Sequence, residues 1–354
     1  MVENQVASHA NISPPSLHMP TTLMRPIRPL SGIKVIEFCQ VLAGPFCGCL
    51  LADMGADVIK VEPPDGDLMR AWPPMVDGYS QYFASVNRNK RSVVLDLKTP
   101  DGLAGARKLA LSGDVVIENF RPGVMAKFGL DHASLAEEKP SLVYCSVSAY
   151  GQTGPRAKEG KQGEGDFIDV SMLGSMLGIA NLQTSELFGT GRDPVRLGSA
   201  HPMNAPYAGF RCRDGDIALA AGTNKLWEAA CVGIGRTDLT QDVRFATPSL
   251  RAKHQNELRD LLELTFANFD SAQLLKIFRE RGVPCAPINT YSEILADPQV
   301  EHMQWVEPIT LPGNTASKTM ISPQRVSGKS LGVYRNPPAL GAHTQEVLHE
   351  ISLK

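Results

Sequence analysis

Apolar and polar residues alternate along the first part of the chain in two rhythms that take turns. Ile33-Lys34-Val35-Ile36-Glu37-Phe38 has the two-residue period of a strand. Leu42-Ala43-Gly44-Pro45 is a turn, and Pro45 suits the first position of a helix running to about Met54, where Gly55 stops it. Asp57 to Glu62 is the next strand, which predicts a parallel, right-handed βαβ unit. Ser92 to Leu97 reads as a strand, residues 101–111 as a helix, and Asp114 to Glu118 and Ser141 to Ser148 as strands. This repeated alternation predicts a doubly wound α/β domain.

Residues 149–166 break the rhythm with a glycine-rich polar stretch, long for a loop inside a compact domain. Met172, Leu173, Met176, Leu177 and Ala180 then form a helical stripe, read as core packing in preference to a ligand groove. A second region opens near Ala205. Asp216 to Ala221 is its strand and Leu226 to Val232 its first helix. Further helices are marked by Leu258, Leu261 and Leu262 and by Leu274, Leu275 and Phe278, the last capped by Asp270 and stopped by Gly282. The expected division is a disordered tail over 1–29, a large domain of 30–204 and 303–354, and a smaller α/β domain of 205–302.

Composition narrows the function classes. The 354 residues are 43% hydrophobic and 20% charged, with a net charge of −2. That balance offers no footprint for nucleic acid or an anionic membrane, and no apolar run has the length of a membrane span. Seven scattered cysteines suggest a reducing compartment and no disulfide framework. Cytoplasm is the expected location, with mitochondria second; the tail is acid-poor but holds only two arginines, Arg25 and Arg28.

No P-loop, no G-x-G-x-x-G after the first strand and no G-x-S-x-G motif is present, and no metal site is expected. Cys47 and Cys49 sit two apart on a helix and point to different sides. The candidate chemistry lies in loops following the strands, where open α/β sheets bind ligands. These are Val41 to Pro45 at a helix N-terminus, the cationic run Asn87-Arg88-Asn89-Lys90-Arg91 with Lys98 nearby, and Asn119 to Gly123. A polyanionic, phosphate-bearing ligand suits this set. The alternatives are a solvated charged face for 88–91 and a plain turn for 119–123.

The residues Leu30 to Phe38 with Leu42 to Pro45, Gly55 to Glu62, Asn87 to Ser92, Asp114 to Gly123 and Ser148 to Pro155 carry a resemblance. So do Gly163 to Ser171, Pro206-Tyr207, Gly282 to Pro287, Asp297 to Val300 and Leu340-Gly341 with His343-Thr344. In this order the chain resembles the class III CoA-transferase family, which includes formyl-CoA, carnitine and dicarboxylate CoA-transferases and the α-methylacyl-CoA racemases. The resemblance implies a Rossmann-like large domain in an interlocked homodimer. It implies acyl-CoA and a carboxylic acid as substrates, with no permanently bound cofactor. It also implies Val41, Leu42 and Ala43 at the adenine and ribose of CoA, Leu95 and Lys98 along the nucleotide, and Asn119, Arg121 and Lys127 near phosphates and pantetheine.

One departure concerns catalysis. In the family a longer segment separates G-x-G-Q-x-G-P from G-x-G-x-x-[IV]-D-V-S, whereas here Pro155 and Gly163 are almost adjacent in the sequence. The resemblance places in that segment the aspartate that attacks the thioester in transferases, and the acid and base of racemases. The catalytic residue is therefore unknown. Asp169 matches a structural aspartate and Asp166 a variable position, so neither is read as the nucleophile.

Gly198 to Pro202 leading into Pro206-Tyr207 favours a dicarboxylate-type transferase over the formyl or oxalate type, with His201 either at the acyl carboxylate or in a turn. The alternatives are a racemase, a catalytically inactive or truncated CoA-binding relative, and a dehydrogenase with a degenerate site. A chain shortened there is expected to expose apolar area at about 25 cal/mol per Å² and to be marginal or aggregation-prone.

Overall fold

The computed structural model describes residues 28–152 and 167–352. Six strands build one parallel sheet: β1 (Lys34–Phe38), β2 (Asp57–Glu62), β3 (Arg91–Val94), β4 (Val115–Glu118), β5 (Val143–Ser148) and β6 (Phe167–Ser171). Their order is β3-β2-β1-β4-β5-β6, with every neighbouring pair parallel. The winding reverses between β1 and β4, which opens a crevice at the carboxyl ends of those strands. The α/β expectation holds, with β6 added to the five strands read from the sequence.

Each face of the sheet has its own cover. Helix α1 (Ala43–Asp53) packs Ala52 against Val35 and Val58 on one side. Helix α2 (Pro100–Ser112) packs Leu109 with Ile36, Phe38, Ile59, Val61 and Val93 on the other. Thr99 starts α2 by accepting the Gly102 N–H at 3.2 Å, and Pro100 fills the first turn. The α1 face also buries Glu37 and Lys60 completely.

After β6, helix α3 (Met172–Ile179) and helix α4 (Asn181–Thr190) bury no residue. The stripe expected to pack into a core is on the surface: Met172, Leu173, Met176 and Leu177 are each 44–61% exposed. Among the described residues α3 is packed chiefly by its chain neighbours, β6 and α4. The helical spacing holds, but among the described residues no core receives the stripe. Residues 153–166 of the glycine-rich stretch lie outside the described residues.

A three-stranded antiparallel sheet follows, of β7 (Tyr207–Arg211), β8 (Asp216–Ala220) and β9 (Cys285–Pro287). Helices α5 (Asn224–Gly233), α6 (Gln255–Phe266) and α7 (Ser271–Glu280) cover it around Trp227, Leu262, Phe266 and Phe278. Asp270 and Gln273 form a reciprocal capping box at α7. The chain then makes a hairpin, β10 (Val306–Leu311) with β11 (Thr315–Met320), turned by Gly313 and Asn314, both at positive φ. The last helix, α8 (Thr344–Ser352), sets Val347 and Ile351 against the α2 side of the large sheet. Tyr334 ties this return to α1 through its hydroxyl, which donates to the Ala52 carbonyl at 3.0 Å.

Gly48 of α1 marks where helix and sheet approach most closely, because a Cβ there would overlap the Glu37 carboxylate. Helix propensity alone gives Gly→Ala a gain of about 1 kcal/mol. Gly48→Ala is expected to do the reverse and cost about 1–3 kcal/mol in urea unfolding, through overpacking. A stabilised variant would contradict this packing.

Candidate active site

The loop after β1 is held by its backbone from three directions. Lys60 of β2 donates to the Cys39 carbonyl at 2.6 Å. The Asn119 amide accepts the Gln40 N–H at 2.9 Å and donates to the Gln40 carbonyl at 2.8 Å. The Asp67 carboxylate accepts the Val41 N–H, 3.2 Å to each oxygen. Val41 itself sits at φ 66°, which a β-branched residue adopts only when its surroundings impose it. Leu42 then opens α1 without a side-chain cap, so the helix presents its first N–H groups at the crevice.

Beside this loop lies a cleft of about 150 Å³ at the carboxyl ends of β1, β2, β3 and β4. Phe38, Val61, Leu95, Phe120 and Phe128 give it apolar walls, and Gln40, Asp96 and Lys98 give it a polar mouth. Leu95 and Lys98 therefore share one cleft with the neighbours of Val41 and Asn119. Leu42 is 53% exposed, and Ala43 is exposed as well. Lys98, Arg121 and Lys127 are exposed and form no ion pair among the described residues. Lys127 ends the short helix Val124–Lys127 and lines neither cleft.

Arg121 borders a smaller cavity of about 40 Å³ with Glu118, His132, Ser146 and Gln152. Burial raises the Glu118 carboxyl above its usual range, against hydrogen bonds donated by the Ser146 hydroxyl and the Phe120 N–H. Gln152 donates to the Ser146 oxygen at 2.6 Å. His132 is buried between Tyr144 and Phe167 with neither ring nitrogen partnered, and burial lowers its pKa. Sequence reasoning missed Phe128, Glu118 and His132, and it held Phe120 only as part of the loop Asn119 to Gly123. Phe120 and Glu118 adjoin a residue it did name, Asn119.

The cationic run has a different fate from either expectation. Arg88, Asn89, Lys90 and Arg91 are all buried, neither facing a polyanion nor forming a solvated face. Arg88 pairs with Asp53 at 2.6 Å, Lys90 with Glu37 at 2.7 Å, and Arg91 with Asp57, Glu346 and Glu350. Carboxylates distant in sequence absorb this charge, Asp53 and Glu37 buried and those of Arg91 nearer the surface. Asn119, expected near phosphates, spends its amide on Gln40. Asp169 accepts the Gln152 N–H at 2.7 Å, a structural contact, and Asp166 lies outside the described residues. His201 stacks on Tyr207 and its Nδ1 accepts the Met203 N–H, as a turn histidine does. All seven cysteines are free, and burial pushes Cys49 and Cys145 up to about 11.

Glu118 has a pH signature. Its raised folded pKa favours the fold at acidic pH, and that contribution is lost as pH rises from 4.5 through the raised value. Glu118→Gln is therefore expected to gain stability relative to wild type between pH 4.5 and 7 in paired urea titrations. A difference that is flat or falls with pH contradicts this.

Comparison with known proteins adds the family. The profile of CoA-transferase family III matches residues 30–161 and 157–344. A succinate–glutarate CoA-transferase of Agrobacterium fabrum is 36% identical, over 91% of this chain and 96% of its own length. A succinyl-CoA:glutarate CoA-transferase of Homo sapiens is 32% identical, over 94% and 88%. A CAIB/BAIF family protein of Brucella suis superposes with a TM-score of 0.79 at 32% identity, over 92% of this chain and all of its own. The Agrobacterium alignment has 382 positions, whereas 91% of 354 residues is about 322, so about 60 positions have no counterpart here. The two profile matches meet and overlap at residues 157–161, where the sequence shows its shortening. The profile spans most of the chain and the fold superposes on a member of known structure, so the chain belongs to CoA-transferase family III.

Proposed function

We propose that this chain binds an acyl-CoA at the carboxyl edge of its parallel sheet and serves CoA transfer to a dicarboxylic acid. The cleft that joins Leu95 and Lys98 to the Val41 loop and Phe120 carries this reading. Its aromatic and aliphatic walls suit a flat nucleobase. Lys98, Arg121, Lys127 and the open start of α1 supply cations and N–H donors for phosphates. The glutarate transferases among its relatives support the dicarboxylate class.

Transfer exchanges one thioester for another, and the family chemistry uses a carboxylate nucleophile. Among the described residues, Glu118 is engaged by Ser146 and Phe120, and Asp169 by Gln152. The roughly 60 unmatched alignment positions favour a second reading, in which this chain binds CoA without turning it over.

We also propose a homodimer. The exposed apolar residues of α3 and α4, Ile179, Leu182 and Phe188 at 64–84% exposure among them, form a face that monomers seldom leave bare. The domain division at 205 and 303 is supported by separate cores, one in the small sheet and one in the large.

Calorimetric titration with CoA and an assay of CoA transfer from succinyl-CoA to glutarate separate the readings. Binding with transfer supports the first, binding without transfer the second, and absence of binding contradicts both. Lys98→Ala is expected to weaken CoA about tenfold at low salt and less at high salt. An unchanged Kd at low salt would remove Lys98 from the site. Sedimentation is expected to give twice the chain mass; a monomer that melts cooperatively would rule out the dimer.

A further inference from the structure

The buried charges under α1 do more than close the sheet. Lys60 lies fully buried on β2 and meets Glu37 at 3.1 Å and Asp67 at 2.8 Å. Burial works against its charge, but the two carboxylates hold Lys60 protonated. Asp67 is buried as well and accepts from three donors: Val41 N–H, Met69 N–H at 2.9 Å, and Lys60, with the Val41 N–H shared by both oxygens. In turn the Asp67 N–H donates to Glu62 at 3.0 Å, and Arg70 grips that same carboxylate at 2.7 Å. The Asp67 side chain therefore cannot drift, and neither can the Val41 N–H it holds.

Resting on the CoA reading above, the geometry points to Asp67 as a positioning residue for the nucleotide site. It touches no substrate. It holds Val41 in its left-handed conformation, while Lys60 and Asn119 hold the two preceding residues. That conformation swings Leu42 and Ala43 outward and aims the start of α1 at the cleft. Without it a β-branched residue relaxes to negative φ, and the loop leaves the position that the ligand meets.

Only an all-acceptor group serves here. In Asp67→Asn, one amide orientation sets an NH₂ against Lys60 and the other sets it against the Val41 N–H. Either way two donors face each other inside the protein.

The test titrates CoA, and separately adenosine 3′,5′-bisphosphate, into the wild-type and Asp67→Asn full-length chains, with amide exchange followed by mass spectrometry. The variant is expected to bind both ligands about tenfold more weakly. Faster exchange should be confined to the peptide spanning residues 39–44, with β4 and β5 unchanged. Affinity within twofold of wild type overturns the assignment, as does faster exchange spread over the whole sheet, which marks a purely structural role. Should Asp67→Asn fail to fold, Asn119→Asp reaches the same loop through Gln40 without touching the buried charges. Equal losses for both ligands there support a loop-positioning mechanism, and unchanged affinity overturns it. A wild-type chain that binds neither ligand removes the CoA reading, and the role of Asp67 with it.

Discussion

Glu37 is the carboxylate on which the rest of this molecule is arranged. It joins two fully buried lysines, Lys60 on β2 and Lys90 just before β3, and so ties three adjacent segments of the sheet through one side chain. Lys90 goes on to the Pro45 carbonyl of α1, and Lys60 to the Cys39 carbonyl of the loop after β1. Charges this deep are stable only when each is paired and its remaining hydrogen bonds are met; removing one partner typically costs about 3–5 kcal/mol. Gly48 leaves the space the carboxylate needs. Helix position, strand pairing and loop shape are thus one problem with one solution, and the crevice between β1 and β4 inherits its form from it.

The same arrangement explains what the sequence could and could not disclose. Strands such as Val58-Ile59 and Val115 to Glu118 announce themselves through apolar content, and Pro45, Gly55 and Asp270 mark helix ends by local chemistry. Leu95 is implied by the resemblance and Lys98 by its charge as well, and both line one cleft. The run 88–91 was misread because its partners, Asp53, Glu37, Asp57, Glu346 and Glu350, are scattered over three hundred residues. No local pattern tells a buried pair from a surface charge. The β10–β11 hairpin was missed for a simpler reason: its strands mix Thr, Ser, Lys and Pro, and only Gly313-Asn314 signals the turn.

The surface of α3 and α4 teaches the complementary lesson. Periodicity states that a helix has an apolar face; it does not state that anything covers it. Here the spacing of Met172, Met176 and Ile179 is that of a packed helix, yet the helix buries nothing. It follows residues 157–161, where the two family-profile matches meet, and the alignment with the Agrobacterium relative has about 60 positions without a counterpart in this chain. If CoA binds as proposed, the nucleotide end of its site and the acyl end differ in completeness. The first is assembled from β1 to β4 and their loops, where the Cys39 and Gln40 carbonyls and the Gln40 and Val41 N–H groups are engaged. The second depends on the segment beside β6, where the chain is short.

The central claim is that CoA lies across the loops that follow β1, β3 and β4. Amide exchange of the wild-type protein with and without saturating CoA addresses it directly. Slower exchange in peptides covering residues 39–44, 95–98 and 119–123, with the small sheet of β7 to β9 unaffected, is the predicted result. Protection confined to the small sheet or to the β10–β11 hairpin, or no protection at all, would contradict it.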